Sequence, residues 1–431
     1  MAFNPLTEKG MPLEDQLRSW NDMLQPPYDP ETVDPYTQTR VILMNGIEVE
    51  SIIFSHQFHR HTDNPDLRRQ LALSRRVEQQ QQKAINWLLP GELSPLETTI
   101  GYEQVAVDLT AWLARHEPDP LLKQALDFAL LEDFDHLYRY ANLYEMIQGR
   151  HAEALTGSLT EITPGRPTIL EHAHPFDLVR PHYETHTVHP LSRLHVMTIV
   201  AAEQQTMNYY MNHGPDFVEP IARALYAEIA QIEEQHVTHY GSLIDPLDSW
   251  LQQLLFHEYN ECYLYYSMAQ QESDERIRNL WELHLQMEIG QLQVAAEFLR
   301  KYEGQDAEEL LPPMLPDVPL TFEPNKEYVR DVLANQVDLR QDGFGYALAD
   351  DLPSDHRYWA FQAIQNGGPV DGGGTAPSEQ VIRANREAVG AEYRDETEGP
   401  HPVIDLRRPP AEDETEMAFS ENDEMIPGAA R

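Results

Sequence analysis

Apolar residues recur at helical spacing through long segments of the chain, and short turns rich in proline, aspartate and glycine separate these segments. One pair of segments runs from Thr37 to about His59 and from Asp66 to about Leu89. A second pair covers residues 249–302. Between these pairs lie two more segments, which turn back on themselves at residues 116–120 and 213–216. This pattern predicts an all-α protein built from helical hairpins.

The two central hairpins carry acidic residues at equal intervals. In each, a glutamate on the outbound leg is followed thirty residues later by an acid, and three residues after that by a histidine. Because both legs of a helical hairpin rise by 1.5 Å per residue, the two acids of each hairpin meet at one height. The residues are Glu103, Asp133 and His136 in the first hairpin and Glu203, Glu233 and His236 in the second.

On each return helix, acid and histidine project from an apolar or aromatic stripe, because positions i, i+4, i+7 and i+11 share one face. Burying four carboxylates without partners would cost several kcal/mol each, and a pair of cations removes that cost. The pattern therefore favours a metal site, with the two tyrosines as candidates for contacting the ligand histidines. The stripes are Ala129, Asp133, His136, Tyr140 and Ile229, Glu233, His236, Tyr240.

Over about residues 96–245, this arrangement resembles the ferritin-like di-iron or di-manganese carboxylate proteins, and their rubrerythrin-like branch in particular. In that family two helices each give one Glu and two give Glu-x-x-His to a four-helix bundle. The resemblance implies two iron or manganese ions about 3.5 to 4 Å apart. It also implies an oxidoreductase that acts on dioxygen or peroxide, as a peroxidase, a catalase-like enzyme or an oxygenase. The matching residues are Glu103, Asp133, His136, Glu203, Glu233 and His236.

Asp133 departs from the family, which usually has Glu at this position. Adjacent Glu132 has the longer reach and lies four residues before His136, so it is an alternative ligand. The two side chains lie about 100° apart around the helix, so only one can face the metal. Symmetry with Glu233 favours Asp133.

Two other functions stay open. A ferritin-like protein that oxidises and sequesters iron would use the acidic surface to attract cations, although long terminal segments would crowd a storage shell. A bundle that has lost its metal would serve as a catalytically inactive scaffold.

The rest of the chain is organised around this bundle. Residues 37–90 and 246–304 are predicted to be flanking hairpins that bind no metal, because Gln81 and Gln291 occupy the positions where a ligand histidine would be needed. The remaining segments are an extended N-terminal arm (1–36), the bundle (91–245) with a long crossover (148–193), a proline-rich strap and short helix (305–365), and a disordered acidic tail (366–431). Within the tail, one helix around Ser378 to Tyr393 stays open. Five histidines make a further metal site in the crossover an open question: His172, His174, His182, His186 and His189.

The composition of the chain argues against several classes of binding partner. A net charge of −41 argues against nucleic-acid and anionic-membrane binding. No apolar run is long enough for a membrane span and the N-terminus lacks a signal-peptide profile, so we expect a cytoplasmic protein. A single cysteine, Cys262, leaves no Cys-x-x-Cys iron module, so a redox enzyme would need an external electron donor. Iron versus manganese, the substrate and homo-oligomerisation stay undecided.

Overall fold

The computed structural model describes residues 3–368 and 376–390, and over these residues the chain is mainly helical, as the sequence predicts. The helices are α1 (Trp20–Met23), α2 (Thr37–His61), α3 (Pro65–Asn86), α4 (Pro95–His116), α5 (Pro120–Gln148), α6 (Pro190–His213), α7 (Pro220–Gly241), α8 (Trp250–Gln271), α9 (Glu275–Glu303), α10 (Lys326–Gln336), α11 (Arg357–Gln365) and α12 (Pro377–Val389).

Proline and side-chain caps set the starts of the long helices. Proline occupies the first turn of α3 to α7, where its missing N–H is not needed. At the start of α4 the Ser94 hydroxyl accepts from the Glu97 N–H, and the Glu97 carboxylate accepts from the Ser94 N–H. Asp119 accepts from the Leu121 N–H in the same way at the start of α5. Each hairpin therefore turns at a defined residue, which sets the heights of the side chains along its legs.

Over the residues that the structure describes, eight long helices form two groups of four. The central quartet consists of α4, α5, α6 and α7, and its two hairpins contact each other through α4 with α6 and α5 with α7. The flanking quartet consists of α2, α3, α8 and α9, in which α2 contacts α8 and α3 contacts α9. Helix α2 also packs against α4 and α6, so the two quartets share one apolar core. No helix among the described residues has the length and apolarity needed to cross a membrane.

The N-terminal arm lies along α9. The Met11 N–H donates to the Gln286 carbonyl at 2.8 Å, and the buried Gln16 amide donates to the Met287 carbonyl at 2.9 Å. The arm approaches so closely that a Cβ on Gly290 would lie 1.9 Å from the Met11 carbonyl oxygen. Only glycine fits at this crossing.

The segment after α9 contains a small β-hairpin that the sequence analysis did not predict. Strand β1 (Leu339–Asp342) pairs antiparallel with β2 (Gly345–Leu348). Gly343 makes the turn at a φ of 56°, a conformation that favours glycine. The hairpin covers the end of α7, because the Gln341 amide contacts His239 Nδ1 at 2.9 Å.

Helix α12 lies inside the region 366–431 that we expected to be a disordered tail. It packs against α5 and α7 and buries Val381 and Ile382. The Ser378 N–H donates to Glu228 at 2.7 Å, and Glu379 forms an ion pair with Arg139 at 3.0 Å. Residues 376–390 are therefore part of the folded body. The rest of the predicted tail, 369–375 and 391–431, lies outside the described residues.

Two truncated chains test this packing. A chain that ends at residue 375 should melt several degrees below one that ends at residue 390, because it exposes the apolar surface that α12 covers. Differential scanning calorimetry of both chains measures the shift. Equal melting temperatures would show that α12 contributes nothing to the stability of the central quartet.

Candidate metal centre

The central quartet brings the six predicted ligand residues into one cluster whose side chains are at most 2% exposed. They form two groups that could each hold a metal ion, and within each group the ligand atoms lie within 4.8 Å of one another. Glu233 belongs to both groups. The first group is Glu103, His136 and Glu233, and the second is Asp133, Glu203, Glu233 and His236.

Glu233 lies between the two imidazoles. His136 Nδ1 is 3.0 Å from Glu233 Oε1, and His236 Nδ1 is 3.2 Å from Glu233 Oε2. Burial alone would raise the pKa of Glu233, but the hydrogen bonds from both histidines hold that pKa below its ordinary value. Burial would lower the pKa of each histidine, yet the surrounding carboxylates raise both pKa values well above the usual range. The surrounding carboxylates therefore favour the protonated form of both imidazoles.

Most oxygens of the other carboxylates in the cluster lack a hydrogen-bond donor. Both oxygens of Asp133, both oxygens of Glu203 and Oε2 of Glu103 are buried without a hydrogen-bond partner. Burial raises the pKa of Glu203 to about 8 and the pKa values of Asp133 and Glu103 well above their ordinary range. Buried oxygens without donors are costly, and cations at this position would satisfy them. The residues present therefore fit a metal centre.

A carboxylate behind each histidine fixes its orientation. Glu171 Oε2 lies 2.9 Å from His136 Nε2, and Glu132 Oε2 lies 2.8 Å from His236 Nε2. Glu132 also accepts from Arg166 at 2.8 Å. Both histidines thus turn Nδ1 towards the cluster, as a ligand held by a second carboxylate would. Asp133 faces the cluster, whereas the alternative Glu132 lies behind His236.

The crossover between α5 and α6 supplies Glu171 and Arg166, which the sequence analysis did not single out. It crosses α5 at Gly165, where a Cβ would lie 2.2 Å from the Leu131 carbonyl oxygen. Asp135 on α5 holds the crossover in place by accepting from the Gly165 N–H at 3.0 Å. No local pattern distinguishes Glu171 from other loop acids, because only the folded crossover brings it to His136.

Tyrosines line both halves of the cluster. Tyr140 and Tyr240 are buried, and neither hydroxyl has a hydrogen-bond partner. The Tyr240 ring lies 6.3 Å from the His236 ring. Tyr210, which the sequence analysis passed over, donates a hydrogen bond to Glu103. Its ring centroid is 5.2 Å from that of Tyr140, so two hydroxyl groups lie on the Glu103 side.

The crossover histidines do not gather into a site. Among the described residues, none of them belongs to a group of three or more metal-ligating side chains. His172 contacts Glu228 at 3.5 Å. The His174 side chain instead accepts a hydrogen bond from the Phe176 N–H at the start of a short 3-10 helix. The His189 side chain accepts one from the Leu191 N–H at the start of α6.

No family model, no curated protein and no solved structure matches this chain. The interpretation of the cluster therefore rests on its own residues and geometry.

Gly165→Ala should weaken metal binding without touching the cluster. The added methyl group meets the backbone of α5, so the crossover must move and Glu171 must withdraw from His136. Since residues behind a ligand histidine change metal affinity by about 10- to 100-fold, we expect a loss of that size.

Gly241→Ala is the matched control, because nothing lies within 4 Å of a Cβ at that position. Titration of both metal-free variants with Fe²⁺ or Mn²⁺ gives the affinities. Equal affinities in the two variants would mean that the crossover does not position His136.

Proposed function

We propose that the central quartet is a ferritin-like four-helix bundle that binds two iron or manganese ions, and that the chain is an oxidoreductase acting on dioxygen or peroxide. The observation that carries the proposal is the position of Glu233, which belongs to two groups of ligating side chains at once. Around it, buried carboxylate oxygens lack donors. A single cation would leave one of the two groups unsatisfied.

The donor set favours iron or manganese. One ion would be held by Glu103 and His136, and the other by Asp133, Glu203 and His236, with Glu233 shared between them. Mixed carboxylate and imidazole ligands suit these metals. The only cysteine, Cys262, lies in α8 of the flanking quartet and offers no thiolate here. Because Asp133 is one methylene shorter than Glu, we expect its half of the pair, beside His236, to leave more room for a small substrate.

A bound pair of redox-active ions would supply two electrons, enough to reduce dioxygen to peroxide or peroxide to water. The protein must provide the protons for that reduction. The Tyr210 hydroxyl holds a proton at Glu103, and the unpartnered Tyr140 hydroxyl lies beside it. Because the chain has no iron–sulfur module, we propose that electrons come from an external donor.

The burial of the cluster favours a small substrate. Every ligand side chain is at most 2% exposed, so a bulky organic molecule would have no contact with the metals unless helices separated. A surface pocket is lined by Tyr226 and by Tyr210, the tyrosine that donates a hydrogen bond to Glu103. Tyr210 is the residue that this pocket and Glu103 have in common, so we propose that a small substrate enters on this side.

Iron oxidation followed by sequestration is the second candidate, because a net charge of −41 concentrates cations at the surface. The two functions differ in turnover. An oxidoreductase consumes many equivalents of peroxide per bound metal pair when an electron donor is present. An iron-handling protein consumes oxidant in proportion to the ferrous ion supplied.

Replacement of both ligand histidines tests the proposal. His136→Ala with His236→Ala should remove imidazole-nitrogen couplings from the pulsed EPR spectrum of the Mn²⁺-loaded chain. It should also lower peroxide turnover more than about 100-fold, since it removes both nitrogen ligands. The matched control is the double variant of the exposed His56 and His61 to Ala, which lie on α2 away from the cluster. Unchanged nitrogen couplings in the first variant would refute the assignment.

A second pair of variants separates a ligand from its neighbour. Asp133→Ala should abolish metal binding in the His236 half, because it removes a carboxylate that faces the cluster. Glu132→Gln should lower the affinity by about 10- to 100-fold, because Glu132 acts through His236. Isothermal titration of the two metal-free variants measures both. A larger loss in Glu132→Gln than in Asp133→Ala would make Glu132 the ligand.

A further inference from the structure

The flanking quartet contains a second cluster of buried acids, although the sequence analysis expected these hairpins to bind no metal. One carboxylate from each of its four helices meets the others, with oxygens within 4.8 Å of one another. All four side chains are at most 2% exposed. They are Glu48 of α2, Glu78 of α3, Glu261 of α8 and Glu288 of α9, with Glu258 one turn away on α8.

The cluster repeats the layout of the central one. Glu48 and Glu78 are thirty residues apart, as Glu103 and Asp133 are, and Glu288 follows Glu258 by the same interval. Three residues after each return-leg acid, the central quartet has a histidine and the flanking quartet has a glutamine. These glutamines are Gln81 and Gln291, and both are buried.

This substitution removes the internal source of positive charge. In the central cluster, His136 and His236 can neutralise acids by holding protons, whereas an amide cannot. None of the ion pairs among the described residues includes any of the flanking acids. The buried His284 contacts the Tyr265 hydroxyl at 3.2 Å and forms no ion pair with the acids, and His257 forms its ion pair with Glu50 instead.

Several oxygens that face this cluster have no donor. Both oxygens of Glu78, Oε2 of Glu48 and Oε2 of Glu261 are buried without a hydrogen-bond partner. The side-chain oxygen of Gln291 is also buried and unpartnered, while its amide nitrogen lies 3.3 Å from Glu288 Oε2. Gln291 is thus a neutral group that presents a free carbonyl-type oxygen beside the acids. Such an oxygen is a suitable ligand for a hard cation.

We propose that the flanking quartet holds a second metal site, which binds a hard divalent cation such as Mn²⁺, Mg²⁺ or Ca²⁺ through oxygen ligands alone. Glu48, Glu78, Glu261 and Glu288 supply the carboxylates, and Gln291 supplies an amide oxygen. Oxygen-only ligand sets suit these cations, whereas imidazole broadens a site towards iron, copper and zinc. The site is independent of the function proposed for the central cluster.

The N-terminal arm closes this site on the outside of α9. It crosses at Gly290, directly before Gln291, and Gln16 bonds to the Met287 carbonyl directly before Glu288. A cation in the cluster is therefore screened from solvent by the arm as well as by the four helices.

Binding of Mn²⁺ to the full chain tests the site. The metal-free protein is titrated with Mn²⁺, the bound metal is counted, and pulsed EPR reports whether nitrogen is coordinated. Two double variants are compared. The flanking variant combines Glu78→Gln and Glu288→Gln, and the central variant combines Glu203→Gln and Glu233→Gln. The flanking variant should lose the Mn²⁺ that shows no nitrogen coupling, and the central variant should retain it. Excess Mg²⁺ or Ca²⁺ should displace the bound Mn²⁺ that shows no nitrogen coupling.

A flanking variant that binds as much Mn²⁺ as the wild type would overturn the proposal, because protons alone would then neutralise the acids. Nitrogen coupling on every bound Mn²⁺ of the wild type would do the same. Gln291→His, added to the central double variant, is a gain-of-signal test that does not depend on loss of folding. This variant should show nitrogen coupling on the Mn²⁺ bound in the flanking quartet. If Mn²⁺ still binds there without nitrogen coupling, Gln291 is not a ligand of the site.

Discussion

Carboxylates buried without hydrogen-bond donors are the constraint on which this structure depends. Helical hairpins of equal leg length bring acids from four helices to one height, and the apolar stripes around them exclude water. Each uncompensated buried carboxylate would cost several kcal/mol. The fold therefore needs positive charge at its centre, and in the central quartet two imidazoles that share Glu233 provide a part of it.

Both quartets bury a cluster of carboxylates at the same helical spacing, but the residues around the two clusters differ. Histidine at the third position after the acid gives the central cluster candidate nitrogen ligands and groups that can hold protons. Glutamine at the same position leaves the flanking cluster with oxygen atoms as its candidate ligands. Helix α2 packs against α4 and α6 and also carries Glu48, so the two clusters belong to one continuous body. A redox pair beside an oxygen-only site is the arrangement that we propose.

The hairpins and the facing acids could be predicted because they follow from local rules, namely helical periodicity, proline at helix starts and equal spacing. Asp133 faces the cluster and Glu132 lies behind His236, while the prediction from symmetry with Glu233 that Asp133 is the ligand stays a prediction. Glu171 and Tyr210 could not be found in this way, because their positions depend on the crossover path and on the packing of α6 against α4. One helix at the place of α12 was left open by the sequence, but its packing against α5 and α7 could not be predicted, because its Gly- and acid-rich surroundings are typical of a disordered tail.

The central claim is that two metal ions lie on either side of Glu233. Anomalous X-ray diffraction from crystals grown with Fe²⁺ or Mn²⁺ tests it most directly, because the peaks locate the metals independently of the protein model. We predict one peak among Glu103, His136 and Glu233 and a second among Asp133, Glu203, Glu233 and His236. No anomalous peak between α4, α5, α6 and α7 in metal-saturated crystals would contradict the account.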